Sequence, residues 1–371
     1  MKIGITGQNG FIGWHLSQTL KYAYKKEFQL IPFERDYFFN QEFLDHFVSK
    51  CDCIVHLAGL NRAEHESEIS EVNILLSKKL VESFKRLNFK GKLIFSSSSQ
   101  EENKNSYGTS KKEAREIFIK SSKQIGFHFT GLIIPNVFGP FCKPNYNSFI
   151  ATFCNKINND IKPEIIIDNE VELIYVGTLV DQIIECIKSP PNSNKKLKSE
   201  QTIRVSMVLG QLISFHEKYN KKGTIPPVDN LFDLHLFNTY RSFLNSEEKY
   251  PINHNKNSDE RGVFFEIIKT QSGGQFSYST TYSNSTRGNH FHTRKVERFS
   301  VIQGNALIQL RKIGSDTVHN FKLNSETPSY IDIPIWYTHN IKNTGNKPLI
   351  TLFWINEPYD EKDPDTYFEI V

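Results

Sequence analysis

The 371-residue chain contains no run of about 18 apolar residues, so no segment reads as a membrane-crossing helix. Its N-terminus, MKIGITGQNGFIGW, has polar and glycine residues where a secretory signal needs an unbroken apolar core. Cysteine is scarce. Cys51, Cys53, Cys142, Cys154 and Cys186 are odd in number and include no CxxC pair, which argues against a disulfide framework or a thiolate zinc knot and leaves reduced core thiols. No charge of one sign dominates either: 45 Lys and Arg against 41 Asp and Glu give +4, without the basic stripe that a nucleic-acid backbone requires. The expectation is a cytoplasmic protein with neither nucleic-acid nor membrane partners. With 38% hydrophobic and 23% charged residues the chain has ordinary globular composition, and its length implies two or three domains at roughly 150 residues each.

From Met1 to about Ser189, short apolar runs alternate with helical stretches: KIGIT, FIGWHLSQTLKYAY, FQLIPF, FLDHFVSK, CIVHLAG, ILLSKKLVESFKRL, KLIFSSSS. This rhythm predicts βαβ units and a doubly wound, Rossmann-type parallel sheet. The stretches RVSMVLGQLISFHEKY and LFDLHLFNTYRSFL read as helices completing that first domain. After about Leu244 the texture becomes short β-rich runs punctuated by Gly, Asn and Pro, which predicts a small antiparallel barrel or jelly roll.

Gly7, Gly10 and Gly13 stand between the strand KIGIT and the next helix. Glycine there permits a tight turn and a close backbone approach, and the helix N-terminus offers N–H groups to a pyrophosphate. The second strand ends at Glu34, Arg35 and Asp36, where an acid suits a ribose hydroxyl and an Arg a ribose phosphate; Arg35 inclines the reading to NADPH, with NAD left open. Tyr107 and Lys111 lie at i, i+4 on one helix face, where the ammonium can lower the phenol pKa and the phenol can give its proton to a carbonyl oxygen as hydride arrives. The serine run ending the strand KLIF supplies a hydroxyl to hold that oxygen, Ser98 or Ser97.

With His56-Leu-Ala-Gly59, Asn73, Asn136-Val-Phe-Gly-Pro140 and Tyr175-Val-Gly-Thr-Leu-Val-Asp181 in the same order, residues 1–243 resemble the extended short-chain dehydrogenase/reductases that act on sugar nucleotides. The resemblance implies Ser98, Tyr107 and Lys111 as the catalytic trio. It implies a cofactor site of Gly7, Gly10, Gly13, Arg35, Asp36, Ala58 and Lys111, the lysine also touching the nicotinamide ribose. Two departures stand out. Only nine positions separate Ser98 from Tyr107, and GLIIP before Asn136 lacks the Arg common there, which leaves the substrate diphosphate contacts unassigned.

The second half carries GNHFHTRKVERFSVIQG and, downstream, PIWYTHNIKN. Two histidines at i, i+2 on a strand share a face, so His290 and His292, with Glu297 and His339, suit zinc or another divalent first-row metal. HxHxxxxExxxxxxG followed by PxxxxHxxxN resembles the two motifs of the cupin superfamily over residues 252–371, although Trp336 stands where that pattern has Gly. Asp259-Glu-Arg-Gly262, Phe264, Glu266 and Arg287-Gly-Asn-His290 are similar to cupin epimerases of deoxy-4-keto-sugar nucleotides, whose base would fall on His290, so that residue is a ligand or a base; Tyr337 is an alternative proton donor or a packed aromatic.

Both halves thus point to one functional group. A C4 ketone acidifies C3–H and is itself reducible; reduction destroys the carbonyl, so epimerisation comes first. The domain order resembles bifunctional enzymes of capsular polysaccharide and O-antigen synthesis. That resemblance implies C3 epimerisation and NADPH-dependent C4 reduction of UDP-2-acetamido-2,6-dideoxy-4-hexulose, giving UDP-N-acetyl-6-deoxy-L-talosamine on the route to UDP-N-acetyl-L-fucosamine. It also implies a homodimer through the cupin. The competing readings are a reductase whose cupin serves dimerisation only, and a non-enzymatic nucleotide-sensing scaffold.

Overall fold

In the computed structural model, residues 1–371 are described except 104, 255–256, 260–261, 265–266, 271–273 and 358–359, with backbone alone for 257–259, 262–264, 269–270 and 275. The chain forms two compact units, Met1–Phe153 with Pro163–Val208, and Cys154–Lys162 with Leu209–Val371.

The first unit opens with β1 (Lys2–Thr6), α1 (Phe11–Tyr22), β2 (Gln29–Ile31), α2 (Gln41–Ser49) and β3 (Cys53–His56). It continues through α3 (Glu66–Leu87), β4 (Lys92–Ser98), α4 (Ser106–Ile125), β5 (His128–Ile134), β6 (Asn136–Phe138) and the first half of α5 (Phe149–Asn158), whose residues from Cys154 count with the second unit. The last elements are β7 (Glu170–Tyr175), α6 (Val176–Lys188), β8 (Lys195–Lys196) and β9 (Gln201–Arg204). Six parallel strands run in the order β2-β1-β3-β4-β5-β8. Alternation along the strands feeds two cores: Ile54, Leu93 and Phe95 pack with α2, α3 and α4, while Val55, Ile94 and Leu132 pack with α1 and α6. The strand order reverses between β1 and β3, and at such a switch point doubly wound sheets bind their ligands. All five cysteines are buried free thiols.

In the second unit, two five-stranded sheets share one apolar core that includes Val301, Ile308, Leu310, Ile331, Ile333 and Ile341. One sheet runs Ile252–Asn253, Ser329–Ile333, Glu297–Gln303, Leu349–Ile355 and Gln275–Thr281; the other runs Val318–Asn324, Asn305–Lys312, Tyr337–Asn343, Thr286–Phe291 and Tyr367–Phe368. Within these two sheets the pairing is antiparallel, the jelly-roll texture expected.

The helical region after Val208 differs from expectation, because it belongs to this unit and not to the first. A buried polar network draws it in. The Arg298 guanidinium holds Asp332 through Nε–Oδ1 at 2.7 Å and Nη2–Oδ2 at 3.0 Å, and Tyr219 and Tyr250 donate their hydroxyls to the same carboxylate. Helical periodicity marks an apolar face but not the core that the face will cover.

Candidate active sites

In the first unit, Gly7 has φ +79°, a backbone conformation that L side chains rarely adopt, and a Cβ there would lie 2.7 Å from Ala58 N. A Cβ on Gly13 would lie 2.1 Å from Gly7 O, so bare backbone is what lets α1 start against the loop. Gly10 is the N-cap of α1, whose first turn has neither a capping side chain nor an acid, the setting in which helix N–H groups accept an anion. Gln8 Nε2 donates to Phe33 O at 2.7 Å, tying this loop to the chain leading into Glu34, Arg35 and Asp36, all exposed. Thr6 Oγ1 lies 2.6 Å from His56 Nδ1 and accepts from Ala58 N at 3.4 Å. Burial, seconded by the Lys111 charge, pushes His56 down to about 3, so its ring is neutral.

Asn105 caps α4 by accepting from Gly108 N at 2.7 Å, and the helical spacing then brings Lys111 Nζ within 5.8 Å of the Tyr107 ring centroid. Lys111 is buried, donates to Ser96 O at 3.0 Å, and is pushed down by burial to about 8. Tyr107 goes the other way: burial, with Tyr146 close by, raises it to about 12. The expected lowering of the phenol by the ammonium is therefore overridden by desolvation, and at neutral pH the phenol carries the proton that a donor needs. Ser97 Oγ donates to Glu101, which is ion-paired with Arg115. Ser98 Oγ accepts from Gln100 N at 3.1 Å and keeps its hydrogen for another acceptor. Sequence reasoning missed two residues here. Glu101 engages the alternative serine, and Gly108 is required because a Cβ would stand 1.9 Å from Gln100 O, the cost of the shortened loop. That nine-residue spacing was the available signal. Tyr146, beside Tyr107, also lines an open cavity of about 430 Å³ with Arg62, Ser148 and Thr152.

In the second unit, His290, His292, Glu297 and His339 present one ligand atom each, all within 4.8 Å of one another. Glu297 Oε2 lies 3.1 Å from His339 Nε2 and 3.4 Å from His292 Nε2. A register shift between Gly288 and His290, with Asn289 at φ 58°, adjusts the strand so that His290 pairs with His339. His290 is pulled down to about 4 by burial and by His339 and His292, which keeps it in the neutral form a metal accepts. Burial works against the Glu297 carboxylate, yet the adjoining His292 and His339 rings hold it far below the usual range. Burial would also lower His292, and Glu297 and Asp365 together raise it. The Nε2 atoms of His292 and His339 and Oε2 of Glu297 are buried without a conventional hydrogen-bond partner; their convergence fits a divalent cation.

The cluster lines a cavity of about 420 Å³ with Arg287, Lys295, Phe299 and Phe353. Trp336, 4% exposed, takes φ 60° in place of the usual glycine; its ring stacks on Phe291 at 5.5 Å and its backbone N–H donates to His292 O at 2.7 Å. Packing thus holds a bulky residue in the left-handed region. Tyr337 packs on the barrel core, its hydroxyl pKa raised by burial. Asp259 to Gly262, Phe264 and Glu266 lie outside the residues whose side chains are described. Asp365, which accepts from His292 Nδ1 through its carbonyl at 2.6 Å, was missed because 73 residues separate the two.

The family described as NAD dependent epimerase/dehydratase matches residues 3–197, and the polysaccharide biosynthesis C-terminal domain matches residues 257–367. A Pseudomonas aeruginosa UDP-2-acetamido-2,6-beta-L-arabino-hexul-4-ose reductase is 33% identical over 370 residues, covering 99% of this chain and 98% of the relative. The crystal structure of the capsular polysaccharide assembling protein CapF from Staphylococcus aureus superposes at TM-score 0.63 with 33% identity, covering 100% of both chains. RMD from Pseudomonas aeruginosa, complexed with NADPH, shares the fold over 58% of this chain and 84% of its own, at TM-score 0.53 and 18% identity. The chain therefore belongs to the NAD dependent epimerase/dehydratase family, among the CapF-like proteins that add a polysaccharide biosynthesis C-terminal domain.

Proposed function

We propose that this protein is a bifunctional UDP-sugar enzyme of capsule or O-antigen synthesis. In this reading the barrel epimerises C3 of a UDP-2-acetamido-2,6-dideoxy-4-hexulose. The N-terminal unit then reduces the C4 ketone to give UDP-N-acetyl-6-deoxy-L-talosamine, precursor of UDP-N-acetyl-L-fucosamine. The observation that carries it is full-length likeness to a named hexul-4-ose reductase in a chain whose two units each assemble a candidate site. When bound, NADPH supplies the hydride, and a divalent ion such as zinc, held by His290, His292, Glu297 and His339, supplies a Lewis acid for the sugar carbonyl.

The chain's own residues do the rest. Gly7, Gly10, Gly13 and the α1 N-terminus receive the pyrophosphate; Arg35, Asp36 and Ala58 border the cofactor, with Arg35 suited to a 2′-phosphate. Tyr107, protonated at neutral pH, gives its proton to the C4 oxygen while Ser98 holds that oxygen. Lys111 adjoins the nicotinamide ribose and keeps positive charge beside the phenol. A homodimer through the barrel belongs to the same reading: the sheet-edge strand Gln275–Thr281 exposes Phe276 (56%) and Tyr278 (61%), and Tyr282 (74%) follows it.

Incubation of the whole protein with the UDP-4-keto sugar in deuterated water tests the reading. Deuterium is expected at C3 without NADPH, and stoichiometric NADPH oxidation with it. Oxidation of NADPH with no C3 label would leave a reductase whose barrel is only a dimerisation module.

A further inference from the structure

We propose that Asp365 is a positioning residue that presents His292 to the buried histidine and glutamate cluster, an inference that rests on the metal reading of the barrel. Three cluster members are fixed by ladders: His290 in the strand Thr286–Phe291, Glu297 at the head of Glu297–Gln303, and His339 within Tyr337–Asn343. His292 is different. It stands just beyond a strand end, in an irregular segment that reaches to Glu297.

Asp365 organises that segment. Asp365 is 3% exposed, and its carboxylate accepts from Thr293 N at 3.1 Å, Thr293 Oγ1 at 2.6 Å, Arg294 N at 2.9 Å and Lys295 N at 3.1 Å. Four donors converging on one buried carboxylate fix the loop backbone. The Asp365 carbonyl meets His292 Nδ1 at 2.6 Å; a carbonyl only accepts, so Nδ1 carries a hydrogen, and Nε2, turned toward Glu297, is the nitrogen left to serve a metal. The backbone at Asp365 has φ 43°, a left-handed conformation in which Asp is better tolerated than most side chains.

The surrounding segment is clamped to the other cluster strands as well. Phe368 pairs with His290 and Tyr367 with Phe291, Glu369 N donates to Asn289 O at 2.9 Å, and the Thr338 hydroxyl donates to Glu369 O next to His339. Residues 365–369 thus touch the backbone or immediate neighbours of three of the four candidate ligands. A metal site depends on such outer partners for ring orientation and tautomer.

The test uses the full chain with Asp365→Gly, which keeps the carbonyl and suits the positive φ, and Asp365→Asn, which keeps the shape but turns an amide toward backbone N–H groups. Side-chain 15N NMR of the metal-free protein reads the His292 tautomer, and Co2+ titration reads affinity and the visible spectrum. We expect Nδ1–H in the unsubstituted protein, a tautomer mixture in Asp365→Gly, and Co2+ binding weaker by roughly 10- to 100-fold with an altered spectrum, Asp365→Asn falling between. An unchanged tautomer with affinity within about twofold would overturn the positioning role. A protein that takes up no Co2+ but whose His292 tautomer still depends on Asp365 would remove the metal reading and leave this inference standing.

Discussion

With its ammonium held by one carbonyl, Ser96 O at 3.0 Å, and by the faces of Phe95 and Tyr107, Lys111 carries a charge that its buried setting disfavours. Burial lowers it from 10.5 to about 8, so in the folded state it releases its proton before the unfolded chain does. Between those values the unfolded state binds more protons, and this residue makes stability rise with pH; below about 8 its penalty is fully present. Lys111→Met should therefore stabilise the cofactor-free protein at pH 7 by up to ~3 kcal/mol, a gain that fades toward pH 10.5, while removing ketone reduction. Urea denaturation at the two pH values checks this, and an equal effect at both would exclude the burial account. The residues around Lys111 were largely legible, because the glycine spacing, the Tyr–Lys interval and the serine strand end are local patterns. Glu101 and the Gln100 carbonyl were not, since their importance lies in how a shortened loop folds back onto Gly108.

Elements of the first unit could be read from alternation alone. β1, β3 and β4 bury nearly continuous runs, and in parallel sheets covered on both faces that pattern has few alternatives. The barrel strands were equally plain; His290, His292 and Glu297 fall at short spacings, and His339 joins them from a second motif far downstream. What the pattern did not carry was where the segment around Tyr219 and the helix Leu231–Arg241 pack: Tyr219 donates to Asp332 far along the chain, and Arg241 of that helix lies over the Tyr219 ring. Asp332→Asn would leave the Arg298 guanidinium buried without its ion pair, an expected loss of about 3–5 kcal/mol. A chemical-denaturation midpoint that does not move would show that the network contributes nothing to anchoring the strand Ser329–Ile333.

At the scale of the whole molecule, two units with unrelated architectures each assemble a candidate site, and in the proposed reading these serve different fates of one ketone. Separate sites predict separable activities. A residue in the reductase should control hydride transfer without touching C3 exchange, and a residue in the barrel should do the reverse. Glu297→Gln should leave NADPH oxidation intact with sugar already epimerised at C3 while C3 exchange is lost, as judged by NMR of the recovered nucleotide sugar. The most direct measurement takes Tyr107→Phe in deuterated water with the UDP-4-keto sugar and NADPH. The account predicts that NADPH stays reduced while deuterium still enters C3; loss of both activities together, or oxidation at the unsubstituted rate, would contradict it.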